Sequence, residues 1–172
     1  MTKIIHNIAS HIPLINLEAK GRTRPGKVNY RRSPKSDYDC NRMGVKGEVS
    51  VATYLGVSLE DTNILGRTID PGWDLMWCGR KVDAKYISYT GRNREMMITP
   101  NQIKGLSRAD ALVLVGEQSK DSEVEIIGWM FVERFLEIKR LRTYRVDPQS
   151  YVSEHDMEPI SEMENWARPT LF

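Results

Sequence analysis

The pattern that decides the fold lies in residues 72–87, Gly-Trp-Asp-Leu-Met-Trp-Cys-Gly-Arg-Lys-Val-Asp-Ala-Lys-Tyr-Ile. Apolar and aromatic side chains recur on both sides of Cys78-Gly79. This pattern predicts two strands, residues 73–77 and residues 80–87, joined by a tight turn. The segment is therefore expected to form an antiparallel hairpin.

The charges of this hairpin are concentrated on one face. Strand alternation places Asp83 and Lys85 on the same side, and antiparallel pairing about the turn sets Asp74 opposite Asp83. Like charges opposed in this way are destabilising, and a divalent cation held by the carboxylates removes the repulsion. A magnesium or manganese site is predicted here. A solvated surface hairpin is the alternative, although Trp73 and Trp77 argue against a loose ribbon.

A third carboxylate lies upstream in a predicted helix. Apolar residues recur from residue 41 at three- and four-residue steps, namely Val45, Val49, Ala52 and Leu55, and Gly56 supplies a stop signal. Glu48 belongs to this helix, and its neighbours one turn away are small or apolar. The sequence therefore predicts that Glu48 is buried.

Further elements follow in alternating order. Thr99-Pro100, with Gln102 three residues after the cap, predicts the start of a helix. Strands are expected over residues 111–115 and 124–132, and an amphipathic helix over residues 133–142. The order of helix, two strands, helix, two strands and helix indicates an α/β domain around a mixed central sheet flanked by helices.

The N-terminal region has a different character. Residues 1–19 show a weak apolar alternation that allows either a short helix or a docking strand. Residues 20–36 combine two prolines, two glycines and seven cations, which predicts an exposed arm or a long loop.

The C-terminal region is acidic. Residues 147–172 hold six acidic residues against one arginine, and an irregular tail is expected. The chain is accordingly divided into a basic N-terminal arm, residues 1–40, a core, residues 41–146, and an acidic C-terminal tail, residues 147–172.

Composition limits the class of protein. The 172 residues are 40% hydrophobic, which suffices for one core, and no stretch approaches the roughly 20 apolar residues of a membrane span. The two cysteines are too few for a disulfide framework or a zinc site. We expect a cytoplasmic protein.

The net charge of +2 conceals an asymmetry. Residues 1–46 carry ten Lys and Arg against three Asp and Glu, whereas residues 47–172 carry fifteen against twenty. A basic flank beside an acidic remainder suits a protein that meets a polyanion with one part and holds divalent cations with another. A solvated basic tail without a partner is the alternative interpretation.

These motifs together resemble those of a known family. Gly72-Trp73-Asp74 followed by Asp83-Ala84-Lys85 resembles the core signature of the PD-(D/E)XK nucleases, and residues 47–52 resemble the first helix of that family, whose glutamate faces the metal. Residues 109–115 and 124–129 are similar to its later core strands. The resemblance covers about residues 41–140 and implies a restriction-endonuclease-like core.

The resemblance also implies a set of site residues. Glu48, Asp74, Asp83 and Lys85 are the expected catalytic residues, and the first three, with the backbone carbonyl of Ala84, are expected to hold Mg²⁺ or Mn²⁺. Asp83 stands where the family commonly has glutamate, an accepted form of the motif. Asp70, followed by Pro71, is a rival for the first acid.

The implied activity is hydrolysis of DNA phosphodiester bonds, with an endonuclease expected. The nucleic-acid contacts expected from the basic segment and the Gln102 helix are Arg22, Arg24, Arg31, Arg32, Lys46, Gln102 and Lys104. Leu106 stands where exonucleases of the family carry tyrosine, which argues against that activity. Cutting both strands commonly needs two sites, so a homodimer is considered. A non-catalytic nucleic-acid-binding protein that retains the fold is the main rival, and an interaction protein without a nucleic-acid partner is another.

Overall fold

A computed structural model describes residues 4–23, 36–66, 71–88, 94–144 and 147–167. The strands are β1 (Ile4–Asn7), β2 (Leu75–Trp77), β3 (Arg80–Ile87), β4 (Glu95–Ile98), β5 (Ala111–Glu117), β6 (Glu123–Phe131), β7 (Arg140–Tyr144) and β8 (Asp147–Ser153). The helices are α1 (Ile12–Arg22), α2 (Asp37–Tyr54), α3 (Pro100–Leu106), α4 (Val132–Ile138) and α5 (Met163–Ala167).

Five strands form the central sheet in the order β1-β6-β5-β3-β2. Only β3 and β5 run parallel, and the other neighbours in this sheet are antiparallel. The prediction of an α/β protein with a mixed central sheet is confirmed. A second sheet, with the order β4-β8-β7, is antiparallel and was not predicted.

The hairpin forms with the predicted register. Leu75 pairs with Val82 and Trp77 with Arg80, and the turn places Cys78 at φ 49° and Gly79 at φ 77°. Two successive residues with positive φ match the twist of the flanking strands. The first strand begins at Leu75, two residues later than predicted.

Helix α2 carries Glu48 and begins four residues before the predicted start. Ser36 caps it, since its hydroxyl accepts a hydrogen bond from the Asp39 N–H at 3.1 Å while the Asp39 carboxylate accepts from the Ser36 N–H at 3.2 Å. Just after the helix, Gly56 has φ 70°, the conformation expected of a glycine stop.

Strand β5 separates two apolar clusters, which explains its unbroken apolar sequence. Ala111, Val113 and Val115 pack with residues of α1 and α2 on one side. Leu112 and Leu114 pack on the other side with residues of α3, α4 and the second sheet. A strand covered on both faces needs apolar residues at every position.

Two predictions near the C-terminus are wrong. Helix α4 ends at Ile138, and residues 140–142 lie in β7 instead of continuing the helix. Residues 147–153 form β8 rather than an irregular tail. Strand β8 buries Val152, and its Tyr151 packs against the guanidinium groups of Arg140 and Arg142, so tertiary contacts decide the conformation of both segments.

The N-terminal region contains both of the structures that its sequence allowed. Strand β1 pairs with β6, and α1 follows it and extends to Arg22, inside the segment predicted to be an arm. The remainder of that arm, residues 24–35, lies outside the described residues. In the described part of the chain, no helix is long and apolar enough to cross a membrane.

Candidate metal centre

A cavity of about 530 Å³ lies where α2, α3, β3 and the residues before β2 meet. Its lining includes all four predicted catalytic residues and the predicted carbonyl donor: Glu48, Asp74, Asp83, Lys85 and Ala84. These residues come from three separate segments of the chain. The structure therefore places the predicted site residues around one space.

Asp74 is 4% exposed and lies just before β2. Its N–H donates to the Val82 carbonyl at 2.9 Å, and its Oδ2 accepts a hydrogen bond from the Ala84 N–H at 2.8 Å. The side chain thus takes the place of a backbone carbonyl in the ladder, which explains why regular pairing starts only at Leu75. Asp74 is held beside Asp83 without being its ladder partner.

Asp83 and Lys85 form an ion pair on one face of β3, as alternation predicted. The Lys85 Nζ lies 2.8 Å from Oδ1 and 2.7 Å from Oδ2 of Asp83. Burial raises the pKa of the Asp83 carboxyl, although the charge of Lys85 and hydrogen bonding with Lys85 and Asp74 act in the opposite direction. The nearby charge of Glu48 raises this pKa further.

Glu48 is 7% exposed and is held by a guanidinium fork. Arg22 donates from Nη1 to Oε1 at 2.9 Å and from Nη2 to Oε2 at 2.7 Å, and also to the Ile64 carbonyl at 2.6 Å. Burial lowers the pKa of Arg22, but hydrogen bonds to Glu48 and Glu18 outweigh it and raise the pKa overall. Such a bidentate pair fixes the orientation of the carboxylate.

Arg22 was predicted to contact nucleic acid. Its guanidinium is directed at Glu48, and its side chain is only 15% exposed, because α1 packs against α2. The structure thus places Arg22 beside the candidate metal centre, and its contact with DNA stays a prediction.

Each of the three carboxylates accepts hydrogen bonds from the chain itself. Within the described ranges, no three His, Cys, Asp or Glu side chains are arranged to hold a metal ion as they stand. The donors at this site are oxygens, which is the chemistry preferred by Mg²⁺ and Mn²⁺, so the residues fit such an ion. Binding would require Lys85 or Arg22 to give up part of its contact with a carboxylate.

Lys46, another predicted nucleic-acid contact, lies in a buried position. Its side chain is 2% exposed, with Nζ 3.3 Å from Oδ1 of Asp121 and 6.0 Å from the centre of the Tyr86 ring. The ammonium group has an internal acidic partner here, and its contact with DNA stays a prediction. No pattern near Lys46 indicates this contact, because Asp121 is distant in the chain.

The other predicted nucleic-acid contacts have different positions. Gln102 lines the cavity, whereas Lys104 on the same helix is exposed and is not among the described residues that line it. Arg24, Arg31 and Arg32 lie outside the described residues, as does the rival acid Asp70.

Sequence reasoning assigned Arg22 to DNA binding without its contact with Glu48, and it did not single out Arg108. Arg22 reaches Glu48 only because α1 packs on α2, and no local pattern predicts this contact. Arg108 lies after α3 and lines the cavity together with Asn101. The only sequence feature that could have indicated Arg108 is its position between the predicted helix of Gln102 and the predicted buried strand that follows.

No protein-family model, curated protein or solved structure matches the chain.

Proposed function

We propose that this chain is a metal-dependent nuclease that hydrolyses phosphodiester bonds of DNA and has a restriction-endonuclease-like core. One observation carries the proposal: the carboxylates of Glu48, Asp74 and Asp83 come from separate segments and line the same cavity as Lys85. Buried carboxylates are costly, and a concentration of them in an open cavity is typical of a functional site.

The proposed metal ligands are Glu48, Asp74, Asp83 and the backbone carbonyl of Ala84. When bound there, Mg²⁺ or Mn²⁺ supplies polarisation of the phosphodiester and lowers the pKa of a water molecule. Arg22 keeps Glu48 oriented through its two hydrogen bonds. Lys85, once it is released from Asp83, positions the attacking water or stabilises negative charge that develops on the phosphate oxygens.

The proposal includes a cellular setting and a partner. DNA is the proposed substrate, with cleavage inside the strand and a cytoplasmic location. A homodimer is the proposed assembly for cutting both strands, since one cavity of this kind acts on one phosphodiester at a time.

Cleavage of linear, circular and branched DNA in Mg²⁺ tests the proposal. We expect the wild-type chain to cut, and Asp83→Asn to lower the rate by at least about 10³-fold, because it removes a charged metal ligand. Lys85→Met should lower turnover much more than metal affinity. Failure of the wild type to cut any of these substrates, or full activity of Asp83→Asn, contradicts the proposal.

A second candidate is a non-catalytic nucleic-acid-binding protein that retains this fold. The observation in its favour is that Lys85 and Arg22 already neutralise Asp83 and Glu48 without any metal. Such a protein would bind DNA with the same affinity in EDTA and in Mg²⁺ and would leave it intact.

A further inference from the structure

We propose that Arg108 is the phosphate-binding cation of the cavity and that it contacts the DNA backbone next to the carboxylates. This inference rests on the proposed function, because it concerns the same cavity and the same substrate. It adds a substrate-contacting residue that neither the hairpin motif nor the charge distribution of the sequence indicates.

The first support is the position of the side chain. Arg108 follows α3, where its N–H donates to the Gly105 carbonyl at 3.1 Å, and both residues line the cavity. Its stem lies directly over Gly72, since a β-carbon added to that glycine would come within 2.9 Å of Cδ and 3.1 Å of Cβ of Arg108. Gly72 has φ 86°, so both its backbone and its surroundings favour glycine.

This packing has a consequence for Arg108. The aliphatic stem packs against Gly72, whereas the residue as a whole stays exposed. A long cation anchored by its stem loses less conformational entropy when its head group binds a ligand than a freely rotating one does. Arg108 is therefore better prepared to bind than an ordinary surface arginine.

The second support is charge. The other two cations at this site, Arg22 and Lys85, are each paired with a carboxylate. Arg108 forms no ion pair and no side-chain hydrogen bond with any described residue. A guanidinium beside a cavity without an acidic partner retains all of its donors for a ligand.

The charge balance of the cavity indicates what kind of ligand this is. Glu48, Asp74 and Asp83, with Glu18 as the second partner of Arg22, carry four negative charges, and Arg22 and Lys85 offset two, so two negative charges remain. A divalent cation neutralises them, and Arg108 then makes the balance positive. With the metal in place, the cavity attracts an anion, and a guanidinium binds phosphate oxygens in a bidentate manner.

Neighbouring donors suit the same ligand. The Gln102 Oε1 accepts hydrogen bonds from the N–H and hydroxyl of Thr99, both at 3.0 Å, and this fixes the amide of Gln102 within the capping box. Its NH₂ group forms no hydrogen bond with a described residue, and Asn101 lines the same cavity. The cavity that holds the carboxylates is thus also lined by three residues with hydrogen-bond donors: Arg108, Gln102 and Asn101.

The experiment compares Arg108→Gln with Lys104→Gln. Both residues are exposed cations close together in the chain, and both substitutions remove one charge, but only Arg108 lines the cavity. Binding of a short fluorescent DNA duplex is measured by anisotropy over a series of salt concentrations, once in EDTA and once in Ca²⁺. Mn²⁺ titration of each variant is a separate readout of the metal site.

We expect Arg108→Gln to weaken DNA binding in Ca²⁺ on the order of tenfold. The slope of log affinity against log salt should become shallower by about 0.9, the value for one phosphate contact on duplex DNA. Lys104→Gln should change affinity and slope much less. Mn²⁺ binding should be the same in both variants as in the wild type.

A conservative variant separates a phosphate contact from a structural role. Arg108→Lys keeps the charge but loses the planar fork, so we expect it to retain the salt slope of the wild type while binding DNA more weakly. If Arg108 merely packed against Gly72, the Gln and Lys variants would show the same salt slope as the wild type.

Two results overturn the inference. One is an unchanged affinity and salt slope for Arg108→Gln, and the other is an equal loss for Lys104→Gln, which would indicate a general surface-charge effect. Since these measurements need no cleavage, a wild-type protein that binds DNA through Arg108 but does not cut it would refute the nuclease activity alone.

Discussion

Two clusters of buried charge occupy different places in this protein and have different surroundings. The cavity cluster consists of Glu48, Asp74 and Asp83 with Arg22 and Lys85. The inter-sheet cluster consists of Arg94, Glu125 and Glu154, whose side chains are 14%, 4% and 10% exposed. In both clusters acidic residues outnumber basic ones, and Arg22 of the cavity cluster also pairs with Glu18, so an excess of acid alone does not distinguish them.

The inter-sheet cluster connects the two sheets. The Arg94 Nη1 lies 2.6 Å from Oε1 of Glu125 in β6, and Nε donates to Glu154, just after β8, at 2.8 Å. Gln118 donates a further hydrogen bond to Glu125 at 2.9 Å. None of these residues lines the described cavity, and the arrangement is complete without a ligand.

The cavity cluster differs from the inter-sheet cluster in its surroundings more than in its ion pairs. Its carboxylates open into about 530 Å³ of space that Arg108 and Gln102 also line. The comparison indicates that a buried ion pair by itself says little about function. What distinguishes the candidate site is an excess of carboxylates facing an open cavity, near a guanidinium that pairs with no acid among the described residues.

The largest effect on stability is expected at the inter-sheet cluster. Arg94→Met leaves two buried carboxylates without their cation, and breaking a buried pair in this way costs about 3 kcal/mol or more. We expect the free energy of unfolding, measured by urea denaturation at pH 7, to fall by about that amount. The predicted direction is a lower midpoint with an unchanged slope.

Arg134→Met is the matched control for this change. Arg134 pairs with Glu137 on the surface, with side chains 54% and 68% exposed, and such pairs contribute about 0.5 kcal/mol or less. If Arg94→Met lowers stability no more than Arg134→Met does, the inter-sheet cluster has no structural role and the comparison between the two clusters fails.

A smaller effect is expected where a buried cation meets an exposed acid. Hydrogen bonding from Arg42 lowers the pKa of Asp121, burial opposes this, and the charge of Lys46 lowers it further. A carboxyl whose pKa is lowered by folding contributes stability above its unfolded-state pKa and loses it as the pH falls through the folded-state value.

Asp121→Asn tests this contribution. Because the Asp121 side chain is 56% exposed, solvent screening limits the effect to about 0.5 kcal/mol at pH 7. We expect the wild type to be more stable than the variant by that amount at pH 7 and the difference to shrink as the pH falls through the lowered pKa of Asp121, because the carboxyl is then protonated in both states. A difference that grows as the pH falls contradicts the assigned direction.

The parts of the fold that were predicted from sequence depend on local patterns. The register of the hairpin follows from its turn and from strand alternation, and α3 begins at the capping signal that its sequence carries. Asp83 and Lys85 share a face for the same reason. Local geometry therefore sufficed to place these two residues of the candidate site.

The parts that were missed depend on contacts between distant segments. Residues 140–142 have helix-forming neighbours, yet they pair with β8, whose Tyr151 packs on both arginines. Lys46 and Arg22 have the composition of DNA-binding residues, but Asp121 and Glu48 bind them internally. Neither partner can be identified from the sequence near these cations.

The central claim is that Glu48, Asp74 and Asp83 together bind a divalent cation, and Mn²⁺ titration followed by isothermal calorimetry or electron paramagnetic resonance tests it most directly. The wild type is expected to bind Mn²⁺, and Mg²⁺ should compete for the same site. Asp83→Asn should bind Mn²⁺ at least about tenfold more weakly. Its free energy of unfolding without metal should stay within about 1 kcal/mol of that of the wild type, because the substitution removes a carboxyl whose charged form is disfavoured by burial. Wild-type protein that does not bind Mn²⁺, or Asp83→Asn protein that binds it with undiminished affinity, would contradict the account.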